Sequence, residues 1–146
     1  MTYEIPTFLP EPTSTQTKNG KDGYGQVQRS VETRWVLNPE EEGVPTVFVR
    51  LTTFHWPERK VYSTLMTWGT HQPAKGSSVF SVETWGSDHK SVRVHTSRVA
   101  RHSLNAMQDH HTEAMAIITE DFGKGVVEEI FAEAAERNGL LVTEEA

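Results

Sequence analysis

The hydrophobic and polar positions between residues 27 and 69 predict three long β-strands. Valine, threonine and aromatic residues, which favour extended backbone, are concentrated in three segments of this region. Stretches rich in proline, glycine, asparagine and charged residues separate the segments and are typical of turns. The segments are residues 27–37, 46–56 and 60–69. Their order along the chain predicts consecutive antiparallel strands.

The turn Pro57-Glu58-Arg59 predicts how the second and third strands pair. If Trp56 lies opposite Val61, alternate residues point to opposite sides of the sheet, and both sides are apolar. One side then holds Val47, Val49, Leu51, His55, Tyr62, Met66 and Trp68, and the other holds Phe48, Phe54, Trp56, Val61 and Leu65. We therefore expect both sides to be covered.

Two shorter strands and an N-terminal arm complete the predicted sheet region. Ser78 to Gly86 has the composition of a fourth strand, and Ser91 to His95 that of a short fifth strand. Residues 1–28 contain three prolines and a glycine-rich cluster, and they lack a regular hydrophobic period. We predict that they form a flexible or docking arm.

The hydrophobic period changes from two to that of a helix after Arg98. Apolar residues and one histidine recur at spacings of four and three, at Ala100, Leu104, Met107, His111, Met115, Ile118 and Phe122. Ser97 or Thr96 is the predicted N-cap. Thr119, followed by two acidic residues, predicts the start of a second helix that ends at Gly139. The pattern does not settle whether the helices are separate or form one broken helix.

These elements predict an α+β fold. We expect a four- to five-stranded antiparallel meander with two C-terminal helices packed on one face. The predicted domain organisation is an arm at 1–28, a single domain at 29–142 and a frayed tail at 143–146.

The composition excludes several classes of function. The chain has 146 residues and no cysteine, so it offers no disulfide, thiol nucleophile or thiolate metal ligand. Its longest apolar run, Ala114 to Ile118, is too short for a membrane span, and no signal-peptide pattern is present. We expect a soluble, cytoplasmic protein that makes no membrane contact.

The net charge of −6 is unevenly distributed along the chain. Residues 1–108 carry 12 basic and 10 acidic residues, whereas residues 109–146 carry 2 and 10. No acidic residue lies between Lys90 and Gln108. This interval contains the basic strand-to-helix junction, defined by Arg93, His95, Arg98, Arg101 and His102.

The basic strand-to-helix junction is the predicted partner-binding or anion-binding site. Arg98 and Arg101 would occupy the first turn of the predicted helix, where cations oppose the helix dipole. Free backbone N–H groups and guanidinium groups together suit an anion or an acidic partner. The alternative is that these side chains extend into solvent or pair with glutamates of the second helix. The four basic residues of this interval and its boundary are Lys90, Arg93, Arg98 and Arg101. Four are too few in an acidic protein for a typical nucleic-acid footprint, so we predict no nucleic-acid partner.

Histidine chemistry gives a weaker signal. His110 and Glu113 are three residues apart on the predicted helix and could share a metal ion, but a third ligand would have to come from elsewhere. No established metal motif is present, so we assign no metal or other cofactor. His111, on the apolar stripe, is interpreted as a core histidine. No catalytic residue is assigned either, because Ser87-Asp88-His89 is contiguous and a catalytic triad must converge in space.

Two functional hypotheses follow from these observations. The first is a small, soluble, non-enzymatic interaction protein, an accessory or host-interaction protein such as viruses encode. It would be homodimeric and would bind a protein partner through the basic strand-to-helix junction. The alternative is a small-ligand or enzymatic pocket between the curved sheet and the first helix. That pocket would be lined by His55, Tyr62, Trp68, Glu83, Met107 and His111.

Overall fold

A computed structural model describes residues 3–21, 27–38, 45–57, 59–73, 81–85 and 91–140. The elements within these ranges are β1 (Ser14–Lys21), β2 (Val27–Val36), β3 (Thr46–Trp56), β4 (Val61–Pro73), β5 (Ser81–Trp85), β6 (Val92–Arg98), α1 (Leu104–Asp121) and α2 (Val127–Arg137). The predicted α+β class, with an antiparallel meander and two helices packed against it, is confirmed. The predicted tail, 143–146, lies outside the described residues.

The sheet is antiparallel throughout its described pairs. Strands β1 to β5 follow one another in sheet order, and β6 also pairs with β4. The N-terminal half of the long strand β4 pairs with β6, and its C-terminal end pairs with β5. This arrangement places β6 next to the end of β4 that carries Tyr62 and Thr64.

The predicted register of β3 and β4 is confirmed, since Trp56 lies opposite Val61. The helices pack on the face that carries Val49, Leu51 and Met66, which are fully buried. From α1 and α2 this core receives Ala114, Ile118, Phe122, Val127, Ile130, Phe131, Ala134 and Ala135. A smaller cluster of Val31, Tyr62, Val99 and Met107 lies nearer the start of α1. The helices therefore cover one of the two apolar faces.

The centre of the opposite sheet face is also buried. Phe48 has no solvent exposure, and the guanidinium carbons of Arg34 and Arg50 lie 4.0 Å and 5.2 Å from its ring centroid. Arg34 also forms an ion pair with the buried Glu32. The chain itself thus buries the middle of this second face.

The N-terminal region contributes a strand to the sheet and packs against the domain. Residues 14–21 form β1, which adds an edge strand beside β2. Tyr3 and Leu9 pack against the helix-side core. The indole Nε1 of Trp35 donates a hydrogen bond to the carbonyl oxygen of Pro10, at 2.8 Å. These contacts attach the segment before β1 to the domain.

Both predicted helix starts are wrong. Strand β6 continues to Arg98, and α1 begins at Leu104 with Ser103 as its N-cap. The Ser103 hydroxyl accepts a hydrogen bond from the backbone N–H of Ala106, at 3.0 Å. The helix then continues through Thr119 to Asp121, and the positive φ of Gly123 reverses the chain before α2 begins at Val127. The helices are separate, and neither is long and apolar enough to cross a membrane.

Candidate metal centre

Strand β6 and helix α1 bring two histidines and a glutamate together. His95 lies on β6, while His110 and Glu113 lie on α1, almost one turn apart. The Nε2 atom of His95 is 3.0 Å from Oε2 of Glu113. Each of the three side chains offers a ligand atom, and these atoms all lie within 4.8 Å of one another. We call this group the His–His–Glu cluster.

The register of β6 positions the strand residue of the cluster. His95 pairs with Thr64 and Ser97 pairs with Tyr62, so both lie on the sheet face that the helices cover. An irregularity in the pairing between Thr64 and Leu65 shifts the register between His95 and Arg93. His95 consequently faces α1.

His110 is the inner member of the cluster. It is 3% exposed, and its ring stacks on that of His95 with centroids 4.4 Å apart and an interplanar angle of 17°. Its Nδ1 atom lies 2.6 Å from the Ser97 hydroxyl. Its other nitrogen, Nε2, is buried and makes no hydrogen bond of ordinary geometry. If Nδ1–H donates to Ser97, Nε2 carries a lone pair directed away from that bond.

The surroundings of His110 favour its neutral form. Burial lowers the pKa of His110, and the neighbouring His95 ring acts in the same direction. Glu113 and a backbone interaction with His95 oppose this shift without reversing it. Neutral imidazole is the form that ligates metal ions, so the inner residue is held in a ligand-competent state.

Exposure increases from the inner to the outer residues of the cluster. The side chain of His95 is 24% exposed and that of Glu113 is 64% exposed. The group therefore spans from the protein interior to solvent. Two imidazoles and one carboxylate are donors that suit Zn²⁺ and related divalent transition ions.

A second aromatic group lies beside the cluster, at the start of α1. The rings of His55 and His102 stack with centroids 3.9 Å apart, and the Tyr62 hydroxyl lies 2.8 Å from Nδ1 of His102. The Tyr62 ring centroid is 5.6 Å from that of His110. Burial lowers the pKa of His55, with a further contribution from His102. We call His55, Tyr62 and His102 the neighbouring aromatic group.

His111 points into the sheet and has a different environment. Its Nε2 atom is 2.7 Å from the Thr33 hydroxyl, and its Nδ1 atom is 2.8 Å from the Thr53 hydroxyl. Thr33 and Thr53 in turn bond to Thr15 and Thr64, at 2.8 Å and 2.6 Å. Burial, with a smaller contribution from His110, lowers the pKa of His111 to about 4. Both ring nitrogens have partners, in agreement with the interpretation as a core histidine.

The structure places the residues of the basic strand-to-helix junction on both faces of β6 and in the segment that follows it. Arg93 pairs with Leu65 and Arg98 with Val61, on the face away from the helices, whereas His95 faces α1. Arg101 and His102 are exposed in the segment between β6 and α1. Because α1 begins at Leu104, Arg98 and Arg101 lie outside its first turn, which removes the helix-dipole argument for an anion site.

The residues of the predicted pocket fall into two groups, and the ring centroid of His55 lies 5.4 Å from that of Tyr62. Tyr62 and Met107 belong to the smaller core cluster, and Trp68 belongs to the main one. Tyr62 and Trp68 are six residues apart on β4, which corresponds to about 20 Å along a strand. The backbone of Glu83 pairs with His71, and its side chain lies outside the described part of the chain.

Sequence reasoning identified the helical half of the His–His–Glu cluster and missed the strand half. The spacing of His110 and Glu113 is visible in the sequence, but their third partner depends on how β6 pairs with β4. Ser97 was interpreted as a helix cap, and its contact with His110 gave no sequence signal. Comparisons of the chain with protein-family models, with curated proteins and with solved structures found no match.

Proposed function

We propose that this protein binds a divalent transition metal ion, with Zn²⁺ the best match, through His95, His110 and Glu113. The observation that carries the proposal is the convergence of the three side chains, which each offer a ligand atom within 4.8 Å of the others. The inner residue, His110, also has a buried Nε2 atom with no hydrogen-bond partner of ordinary geometry. An unsatisfied buried polar atom costs about 1–3 kcal/mol. A bound metal ion would give that atom a partner.

The donor types and their supports agree with this function. Ligating histidines commonly donate their second ring N–H to a nearby acceptor, which fixes the tautomer. The Ser97 hydroxyl, 2.6 Å from Nδ1 of His110, is placed to be that acceptor. The i, i+3 spacing on α1 directs His110 and Glu113 to one side of the helix, toward β6.

A simple ion pair explains less of the geometry. A salt bridge between His95 and Glu113 accounts for their 3.0 Å contact but leaves Nε2 of His110 without a hydrogen bond of ordinary geometry. An exposed ion pair contributes about 0–1 kcal/mol, which does not offset a buried unsatisfied nitrogen. The metal site accounts for all three side chains.

Isothermal titration of the chelator-treated full-length protein with ZnCl₂ tests the proposal, with native mass spectrometry to count bound ions. We expect one ion per chain, and we expect His110→Ala and Glu113→Gln to abolish binding. His102→Ala is the matched control, because it removes an exposed histidine of the neighbouring aromatic group. Circular dichroism verifies that each variant folds, and the exposed Glu113 is the safer substitution. Equal affinity of the wild type and Glu113→Gln, or the absence of zinc binding, would overturn the proposal.

Homodimeric interaction is a second candidate function, and the exposure of Trp56 favours it. Trp56 is 46% exposed at the end of β3. It pairs with Val61 of β4, which in turn pairs with the exposed Arg98 of β6, so the three residues form a row across the sheet. Exposed tryptophan and arginine are typical of interaction surfaces. A second copy would offer a complementary acidic surface, since the described residues 109–140 hold 2 basic and 8 acidic residues.

Sedimentation equilibrium over a concentration series tests this second function. We expect a dimer that dissociates when Trp56→Ala and Arg98→Glu are combined and that weakens at high salt. The control is Arg101→Glu, which makes the same charge change between β6 and α1. A wild-type protein that stays monomeric at every concentration would exclude self-association through this surface.

A further inference from the structure

We infer that a metal ion held by His95, His110 and Glu113 keeps one coordination position on its solvent side and that this position takes a small monoanion such as a carboxylate. The inference rests on the proposed metal binding and adds the class of ligand that the site would accept. Structural zinc sites have four protein ligands, whereas sites with three protein ligands keep a position for water or another small ligand.

The first support is that the protein supplies its metal-ligand atoms from the interior side of the cluster. The ring of His110 is almost fully buried, and the outer donors, His95 and Glu113, have side chains that are 24% and 64% exposed. The protein therefore encloses the inner side of the cluster and leaves its outer side facing water.

The second support is that nearby polar groups are already engaged. The Ser97 hydroxyl bonds to Nδ1 of His110, and the Thr64 hydroxyl bonds to Thr53. The Tyr62 hydroxyl contacts His102 and donates a hydrogen bond to the backbone carbonyl of Ser103, at 3.1 Å. Asp109 precedes His110 on α1, and successive residues of a helix point about 100° apart. Within the described parts of the chain, these groups are not placed to complete the coordination.

The third support is charge. Two neutral imidazoles and one carboxylate leave a divalent ion with one net positive charge, and a bound cation dominates the electrostatics of its site. A monoanion in the remaining position would neutralise that charge. A small carboxylate fits because the oxygen donors of a carboxylate suit this class of ion.

Cobalt substitution makes the open position visible. The full-length protein would be loaded with Co²⁺, and its visible absorption spectrum recorded during titration with sodium azide and then with sodium acetate, at constant ionic strength. We expect each anion to change the Co²⁺ spectrum in a saturable way. Arg59→Ala is the control, because it removes an exposed positive charge in the turn between β3 and β4 and should leave the anion response unchanged.

The outcomes distinguish the two proposals. If no Co²⁺ spectrum develops, the proposed metal binding fails. If the spectrum develops and neither anion changes it, the site is closed by a fourth protein ligand and the inference of an open position is wrong. A Co²⁺-dependent dimer with no anion response would assign the fourth ligand to a second copy and would equally overturn the inference.

Discussion

The Ser97 hydroxyl is placed to set the tautomer of His110. It lies 2.6 Å from Nδ1, and if it accepts a hydrogen bond from Nδ1–H, the lone pair of Nε2 is left for a metal ion. Removal of the hydroxyl would release the ring to rotate or change tautomer without removing a ligand.

We therefore expect Ser97→Ala to weaken zinc binding by about 10- to 100-fold, the usual effect of losing a hydrogen bond to a ligating histidine. Competition titration against a chelating indicator measures the affinity. Ser97→Thr, which keeps the hydroxyl, should restore it. If Ser97→Ala bound zinc as tightly as the wild type, Ser97 would have no positioning role.

His111 shows how a histidine next to a candidate ligand can have an entirely structural role. A chain of hydroxyls, Thr15, Thr33, Thr53 and Thr64, crosses β1 to β4, and the His111 ring forms its central link. Neutral imidazole has one donor and one acceptor, so the hydrogen bonds on either side of the ring can run in one direction across the sheet. Burial makes the charged ring unfavourable.

This burial predicts a pH-dependent stability. The folded pKa of His111 is about 4, below its unfolded value of 6.5, so the unfolded chain binds more protons as the pH falls. The contribution of neutral His111 to the free energy of unfolding is fully present above the unfolded pKa and is lost as the pH falls toward the folded pKa. Between about pH 7.5 and about pH 5 the loss due to His111 is about 2 kcal/mol.

Urea unfolding at several pH values, compared between the wild type and His111→Gln, isolates this contribution. The glutamine variant should be less stable at neutral pH and should lose less stability on acidification. If the variant does not fold, the ring signals of His111 in nuclear magnetic resonance spectra of the wild type still test the argument. A ring that protonates near its ordinary pKa would contradict it.

The helix α1 depends on a cap that the sequence pattern misplaced. Ser97 and Thr96 have suitable side chains, but both lie in β6, and the hydroxyl of Ser103 caps the helix instead. Three serine or threonine residues within eight positions make the cap ambiguous in sequence. The pairing of β6 with β4 up to Arg98 resolves the ambiguity in the folded protein.

We expect Ser103→Ala to lower the free energy of unfolding by about 1 kcal/mol, because the backbone N–H of Ala106 loses its acceptor. Thermal unfolding followed by circular dichroism measures the change. Thr96→Ala is the matched control and should cost less than about 0.5 kcal/mol, since Thr96 is exposed on β6. A larger loss of stability in Thr96→Ala than in Ser103→Ala would indicate that α1 starts earlier, directly after Thr96.

The central strands were predictable because their patterns are strong, and β1 was not. The segment at 46–56 and its partner in β4 are rich in apolar and β-branched residues, and their short turn fixed the register. Strand β1, with the sequence Ser-Thr-Gln-Thr-Lys-Asn-Gly-Lys, has no apolar residue and forms through backbone pairing with β2 at the sheet edge. An edge strand of this kind lacks the hydrophobic period on which sequence reasoning depends.

The candidate site depends on two structural facts that no local pattern contains. The register of β6 turns His95 toward the helices, and packing brings β6 and α1 together. The sequence pattern placed the start of the helix six residues early, although the i, i+3 pair itself is visible. The site is thus a product of tertiary packing.

The same packing predicts that metal binding stabilises the whole fold. His95 and the pair on α1 come from different elements, so an ion that joins them binds the folded chain in preference to the unfolded one. At a free zinc concentration roughly 100 times Kd, the free energy of unfolding should rise by about 2.7 kcal/mol. For a chain of this length the melting temperature should rise by roughly 5–10 °C.

Differential scanning calorimetry with and without zinc measures this shift, and Glu113→Gln provides the comparison. The variant should melt close to the zinc-free wild type, because Glu113 is exposed and its loss removes little packing, and zinc should leave its melting temperature unchanged. His102→Ala should keep the full shift, since His102 contacts Tyr62 and His55 outside the cluster. An equal zinc shift in Glu113→Gln and the wild type would show that the ion binds elsewhere on the chain. A wild type that zinc leaves unchanged would show that the cluster does not join β6 to α1 through a metal ion.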